Sequence, residues 1–378
     1  MAGGDHGRLS RLDGSLDRDM WTTFSWASIR LTVLLVAGSC VACASFPSAS
    51  PATATTIYTG NPQATATALQ RYEFEAPKLG TLFRIVLFAD DPGTAEAAAS
   101  SAFQRVDELN GILSDYDEYS ELSQLSAQTN NGAPTGPVPV SKDLYAVLDC
   151  AQSIALQTGG AFDITVGPTV QLWRRAMRQE RMPTPSQLEN AAAAIGCEKI
   201  QLHAETRSVS LHAQNMRLDL GGIAKGYILD EANAVLVSHG ITRALLDAGG
   251  DLLASGAPPG QLAWQVQIDT GEVENQTRFA LVQTALATSG DTFQFAFIDG
   301  KRSSHIVDPR TRIGLGLSGS PAASVHATSA MVADAWASAL CVLGAVEGIP
   351  LVEATPNLEA RYVQGRVVVK SSGFEEDL

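Results

Sequence analysis

Three things are scarce in this sequence of 378 residues: basic charge, pairable cysteine and apolar runs long enough to cross a bilayer. Lys and Arg number 26 against 40 Asp and Glu, a formal net charge of −14. Affinity for nucleic-acid backbones comes from clustered Lys and Arg, so that class of partner is excluded, although a single anionic ligand can be held locally. Of the 5 cysteines, Cys40 and Cys43 lie in a segment expected to be cleaved or anchored. Cys150, Cys197 and Cys341 form an odd, widely spaced set. That excludes a disulfide framework and zinc-ligand spacing, and points to buried free thiols. The apolar run Leu31–Ala44 is too short for a comfortable membrane span.

What that run does fit is a signal-peptide h-region behind Arg30, with Met20 as a possible start and Cys40 or Cys43 as a candidate lipidation site. Residues 45–70, rich in Ala, Thr, Ser and Pro, read as a tether rather than a fold. The rest of the chain, in a sequence that is 45% hydrophobic and 17% charged, has the composition of a globular protein. The expected organisation is a signal or lipoprotein signal over 1–44, a tether over 45–70 and a folded domain over 71–370. Export is the expected destination.

The folded part is organised around Asp219–Asp230 (DLGGIAKGYILD). Before it, Val209, Leu211, Met216, Leu218 and Leu220 give a broken alternation around the polar Ala213-Gln214-Asn215 turn, so a strand is expected to enter; after it, Ile223, Tyr227, Ile228, Ala232 and Val235 return at helical spacing up to Gly240. Strand, glycine pair and helix start together present unpaired backbone N–H groups to an anion. Lys225 in the first helical turn opposes the macrodipole unless a bound anion compensates it. The plain alternative is an αβ connection whose glycines only turn the chain.

Elsewhere the pattern predicts a strand over 83–88, helices over 95–113 and 144–157, a helix over 183–194, and hairpins over 200–211 and 293–307, the second turning at Asp299-Gly300. Asp163 sits between Phe162 and Ile164, where a buried carboxylate needs a partner or caps the next turn. Ser304–Thr311 brings a His, an Asp and an Arg together at a strand end. Gly314–Gly319 matches G-x-G-x-x-G literally, but it follows a Pro-Arg-Thr turn and runs into an expected strand where the motif needs a helix, so it is no dinucleotide fingerprint. The helix from Thr328 to Gly344 is apolar nearly all round except for Asp334, with Ser338 four residues on. Such an oxygen pair suits Mg2+, with a structural Asp–Lys or Asp–Arg pair as the alternative.

Laid out in order, Gly160–Pro168, Asp219–Tyr227, Ala248–Asp251, Thr288–Asp291, Ser304–Thr311 and Ala333–Ser338 resemble the FAD:protein FMN transferase (ApbE) family. The resemblance implies an α+β, T-fold-like structure with FAD between two subdomains. It implies an exported, often lipid-anchored enzyme at the periplasmic face of a bacterial membrane. The implied reaction moves FMN from FAD to a Thr or Ser of a partner protein through a phosphodiester, releasing AMP, with Mg2+. By position, Leu79, Tyr116, Ala161, Phe162, Asp163, Asp219, Lys225 and Ile306 would contact FAD. Gly222, through its carbonyl oxygen, Asp334 and Ser338 would hold the metal. Ala337 replaces an Asp found in some members, Ser338 the usual Thr, Arg312 a customary Gly, and Arg174 the Gly usual after Trp173. The acceptor hydroxyl needs a base. His305 is the candidate, the alternative being a His that positions Asp308. Hydrolysis of FAD to FMN and AMP, or flavin binding without turnover, are the competing functions.

Overall fold

The computed structural model describes residues 68–131, 135–268, 277–291, 295–298, 301–316 and 320–375. The expected signal segment and almost all of the tether lie outside these residues, as does the Asp299-Gly300 turn. The described residues belong to one unit, Thr65–Leu378.

Its frame is an eight-stranded sheet whose spatial order is also its chain order: Gln70–Lys78, Thr81–Ala89, Ala244–Ala248, Asp251–Ala254, Thr284–Gly290, Ala322–Ala327, Leu358–Gln364 and Val367–Lys370. Every neighbouring pair is antiparallel. The second strand shows how the residues choose faces. Phe83, Ile85 and Leu87 point to one side and join the main core, while Val86 and Phe88 point to the other.

On the main-core side lie three long helices: α1 (Pro92–Leu113), α6 (Ala224–Ser238) and α7 (Ala330–Glu353). Between α1 and α6 the chain adds α2 (Glu121–Ala127), α3 (Lys142–Gln157), α4 (Gly167–Gln179), α5 (Pro185–Ala193) and a three-stranded sheet of Val138–Pro139, Ser208–Leu211 and Ile200–His203. The opposite face is covered by the antiparallel pair Trp264–Ile268 and Thr277–Leu281, through Trp264, Val266, Phe279 and Leu281. The fold is α+β.

Local chemistry sets most helix starts. Asp91 accepts from Thr94 N at 3.0 Å ahead of Pro92, and Thr184 with Gln187 forms a reciprocal capping box on α5. Helix α7 is capped from another element. The Asp230 carboxylate on α6 accepts from Ala330 N at 2.9 Å, Met331 N at 3.0 Å and Ser329 Oγ at 2.7 Å. Beside this cap a Cβ on Gly226 would overlap the Ala330 carbonyl, so the first turns of α6 and α7 touch through glycine. Asp230 and Gly226 thus set Lys225 and Asp334 in register.

Helix α7 is long and apolar enough to cross a membrane by composition, but half of its most apolar window is buried inside this fold. Its helical path ends as expected at Gly344, where φ 68 and ψ 177 break it, and a second helical stretch follows the kink and runs to Glu353. The strand expected to lead into Asp219 ends at Leu211. Met216, Leu218 and Leu220 still alternate inward, but their segment is irregular because its N–H groups bond elsewhere, Leu218 N to Ser126 Oγ and Asp219 N to the Ile164 carbonyl. Cys150, Cys197 and Cys341 are free thiols, and only Cys341 is fully buried; the other two are half-buried.

Candidate functional site

A cavity of about 710 Å³ opens where the turn after the first strand, the loop after α1, helix α4 and the start of α6 converge. Leu79 and Gly80 form the two-residue hairpin turn at its rim, both at positive φ (54° and 72°), as such tight turns require. The loop after α1 contributes Ser114, Asp115, Tyr116 and Asp117; α4 contributes Arg174; the third side is Leu220, Gly221, Ala224 and Lys225. Three residues expected on flavin, Leu79, Tyr116 and Lys225, therefore line one cavity. Tyr116 is 78% exposed, an aromatic ring held out on a loop.

The start of α6 differs from the open anion cradle the sequence suggested. Gly221 N donates to Asp219 Oδ1 at 2.9 Å. Ile223 N and Ala224 N both donate to the Leu220 carbonyl. Gly226 N donates to Asp334 Oδ2 at 3.1 Å. These donors are therefore satisfied within the protein, three by the turn and one by Asp334 of α7, so charge compensation here would come from side chains.

Lys225 reaches this region from the first turn of α6, and its ammonium pairs with Asp251 Oδ2. Burial opposes its charge, but Asp251 and Asp334 outweigh burial and hold its pKa above the ordinary lysine value. Asp251 begins its strand directly after the Gly249-Gly250 turn, both glycines at positive φ, and its second oxygen accepts from Thr288 N at 3.2 Å. Asp334 is 2% exposed. Burial pushes its pKa up to about 7; Lys225 pulls it down and Asp251 pushes it further up. A carboxylate so placed gains from any additional cation.

One turn along α7, Ser338 Oγ lies 3.2 Å from Ser289 Oγ. A Cβ on Gly222 would stand 2.8 Å from Ser338 Oγ and 3.4 Å from the Phe162 ring, so only glycine lets this backbone approach the hydroxyl. Gly222, Phe162 and Ser338 thus meet, with Asp334 one turn before Ser338. Among the described residues no group of three His, Cys, Asp or Glu side chains gathers as a metal cluster. A cation here would rest on one carboxylate plus hydroxyl and carbonyl oxygens.

The other expected residues stand apart from these two groups. Asp163 caps a short turn, its Oδ1 accepting from Thr165 N at 2.8 Å and Thr165 Oγ1 at 2.7 Å, and it lines a separate cavity of about 370 Å³ with Arg310 and Arg312. Ala161 is buried beside it. Ile306 packs partly buried against the main core, its N–H donating to Ser304 Oγ at 3.0 Å. His305 is exposed between the strands Lys301–Ser304 and Val307–Asp308. Asp308 accepts from Arg310 N at 2.8 Å and Arg310 Nε at 3.2 Å. The same loop is tied to α4, since Trp173 Nε1 donates to the Arg312 carbonyl at 3.1 Å.

Sequence reasoning gave no role to three residues that the fold brings in: Asp251, Ser289 and Arg174. The first two were visible only as members of the Gly-Gly-Asp and Thr-Ser-Gly-Asp runs. Arg174 stood out because it occupies a usual glycine position.

Solved structures similar to this chain include flavin transferases. The chain superposes with a TM-score of 0.72 on "Flavin Transferase ApbE from Vibrio cholerae", at 28% identity over 81% of this chain and 98% of the other. It superposes with a TM-score of 0.71 on the ApbE protein of Thermotoga maritima, with the same identity and coverage. Among curated proteins it is 31% identical to the "FAD:protein FMN transferase" of Treponema pallidum, over 75% of this chain and 82% of that one. The namesake of Haemophilus influenzae is 30% identical over 79% and 89%. The ApbE family profile matches residues 79–362, and the chain belongs to the ApbE family.

Proposed function

We propose that this chain is an FAD:protein FMN transferase, moving FMN from FAD to a Thr or Ser hydroxyl of a partner protein with release of AMP. The observation that carries the reading is the adjacency of two halves. A cavity with an exposed aromatic ring, Tyr116, is joined through Lys225 to two buried carboxylates, Asp251 and Asp334, with the half-buried hydroxyls of Ser289 and Ser338 beside them. A flavin dinucleotide needs both, a surface for its flat ring and charge compensation for its pyrophosphate. The family membership and the names of the curated relatives point the same way.

In the reaction the acceptor oxygen forms a bond to the phosphorus on the FMN side. The P–O bond to AMP breaks, AMP leaves with the electron pair, and the hydroxyl proton passes to a base. Lys225, fixed by Asp251, faces the pyrophosphate charge. His305 takes the proton, since a Ser or Thr hydroxyl is a weak nucleophile at its own pKa. Ala161, Phe162, Asp163, Asp219 and Ile306 are proposed as further flavin contacts on family resemblance. Asp334, Ser338 and the Gly222 carbonyl suit Mg2+, being hard oxygen donors around a buried carboxylate that lacks a full counter-charge. When bound, the ion supplies neutralisation of phosphate charge and polarisation of the phosphorus. The Leu31–Ala44 run and the tether after it support export, with a lipid anchor at Cys40 or Cys43 holding the enzyme at the periplasmic face.

Replacing Tyr116 with Ala should weaken FAD binding by roughly 1–2 kcal/mol, the size of one aromatic stack plus its lost area. Titration of flavin fluorescence reads this directly. An unchanged titration would remove Tyr116 from the flavin.

A further inference from the structure

Helix α4 places Arg174 in the same cavity. Its guanidinium lies 4.4 Å from the centroid of the Tyr116 ring. One nitrogen pairs with Asp115 Oδ2 at 2.5 Å and another with Asp219 Oδ2 at 3.0 Å. The two carboxylates are nearly enclosed, with side chains 5% and 9% exposed, while Arg174 keeps 27%. Burial opposes the Arg174 charge, but Asp219 and Asp115 raise its pKa above the ordinary arginine value. Burial likewise raises that of Asp219, which Asp115 pushes further up and Arg174 holds down.

Two consequences follow from the physics. Without a cation between them, Asp115 and Asp219 would present two like charges to a cavity that must admit an anion. A tyrosine on an exposed loop would also have to give up rotamer freedom when a flat ring stacks on it. A guanidinium on one face of the ring removes both obstacles and leaves the other face open. We infer that Arg174 is a positioning residue of the flavin pocket, backing Tyr116 as a preset platform and neutralising Asp115 and Asp219 so that an anionic dinucleotide can enter. This rests on the flavin-transfer reading for the identity of the ligand.

Affinities of the full chain for FAD and for uncharged riboflavin separate the two roles from simple scaffolding, when measured alongside thermal midpoints. In Arg174→Ala the Kd for FAD should rise about tenfold or more and that for riboflavin only a few-fold, because riboflavin feels the loss of the platform but not the exposed carboxylates. KM for FAD should rise with kcat nearly kept. Adding Asp115→Asn to Arg174→Ala should recover part of the FAD affinity by removing one uncompensated charge. Arg174→Lys, a cation without the planar fork, should fall between. Wild-type FAD affinity in Arg174→Ala overturns the assignment. So does an equal loss for both ligands with a lowered thermal midpoint and no recovery from Asp115→Asn, which is the mark of a structural residue. Wild-type protein that binds neither ligand overturns the flavin reading itself, and this assignment with it.

Discussion

Asp334→Asn should abolish Mg2+-dependent flavin transfer and, at the same time, make the metal-free protein more stable above neutral pH. Asn keeps the oxygen that accepts from Gly226 N, so the contact between α6 and α7 survives. What it removes is a charge whose pKa burial raises from 3.8 to about 7. The folded state binds that proton more tightly than the unfolded chain does. This contribution to stability is therefore complete below about pH 4 and is lost as pH rises toward about 7. In chelator, wild type should lose roughly a few kcal/mol across that window from this group, and the Asn variant should not. Added Mg2+ should restore wild type above pH 7 and leave the variant unmoved. Matching pH profiles for the two proteins in chelator would show that Asp334 carries no burial penalty. Undiminished transfer by the variant would remove it from the metal site.

His305→Ala should lower turnover by about 10²–10⁴-fold while FAD affinity changes little. In the proposed complex the dinucleotide would be held by Lys225, the cavity walls and a cation on Asp334 and Ser338, none of which needs an imidazole. The acceptor hydroxyl does. Single-turnover kinetics at saturating FAD separate the outcomes. A variant that loses FAD but keeps its rate per bound complex makes His305 a pocket contact. The base would then be sought among carboxylates, with Asp308 first despite its bonds to Arg310.

Much of this site was legible in the chain because its chemistry is written in residue type and spacing. Asp334 was the lone charge in an apolar helix, and a lone charge in a core needs a reason. Lys225 sat in a first helical turn, where a cation needs an anion. The anion proved to include Asp251, delivered by a Gly-Gly turn 26 residues away in sequence. No periodicity announces such a pairing. The glycine turn at Gly221-Gly222 was recognised, but its role was only half readable. Its amides were expected to face a ligand, yet Asp219 takes one and Leu220 two more. The second glycine serves instead to let backbone reach Ser338. Close approach depends on which helix lies opposite, and α7 begins more than a hundred residues later.

The segment before Asp219 shows the converse. Its alternation of Met216, Leu218 and Leu220 was read as a strand, and those residues are buried, but burial every second residue does not need a ladder partner. Here Ser126 and Ile164 satisfy the backbone without one. The Asp230 cap on α7 was equally invisible. An aspartate inside a helix reads as solvated surface until another helix start is placed against it. Arg174 could be noticed as an unusual residue, and only the fold revealed that it stacks on Tyr116.

The central claim is covalent transfer, and the most direct measurement follows both products at once. Purified protein is incubated with FAD, Mg2+ and membrane proteins of the source cell. Flavin fluorescence is then read in denaturing gels beside AMP release, with Asp334→Asn and a chelator as controls. A fluorescent band that resists denaturation, with AMP formed in equal amount and both lost in the controls, is the predicted result. AMP with free FMN and no labelled protein would contradict transfer and make the enzyme an FAD hydrolase.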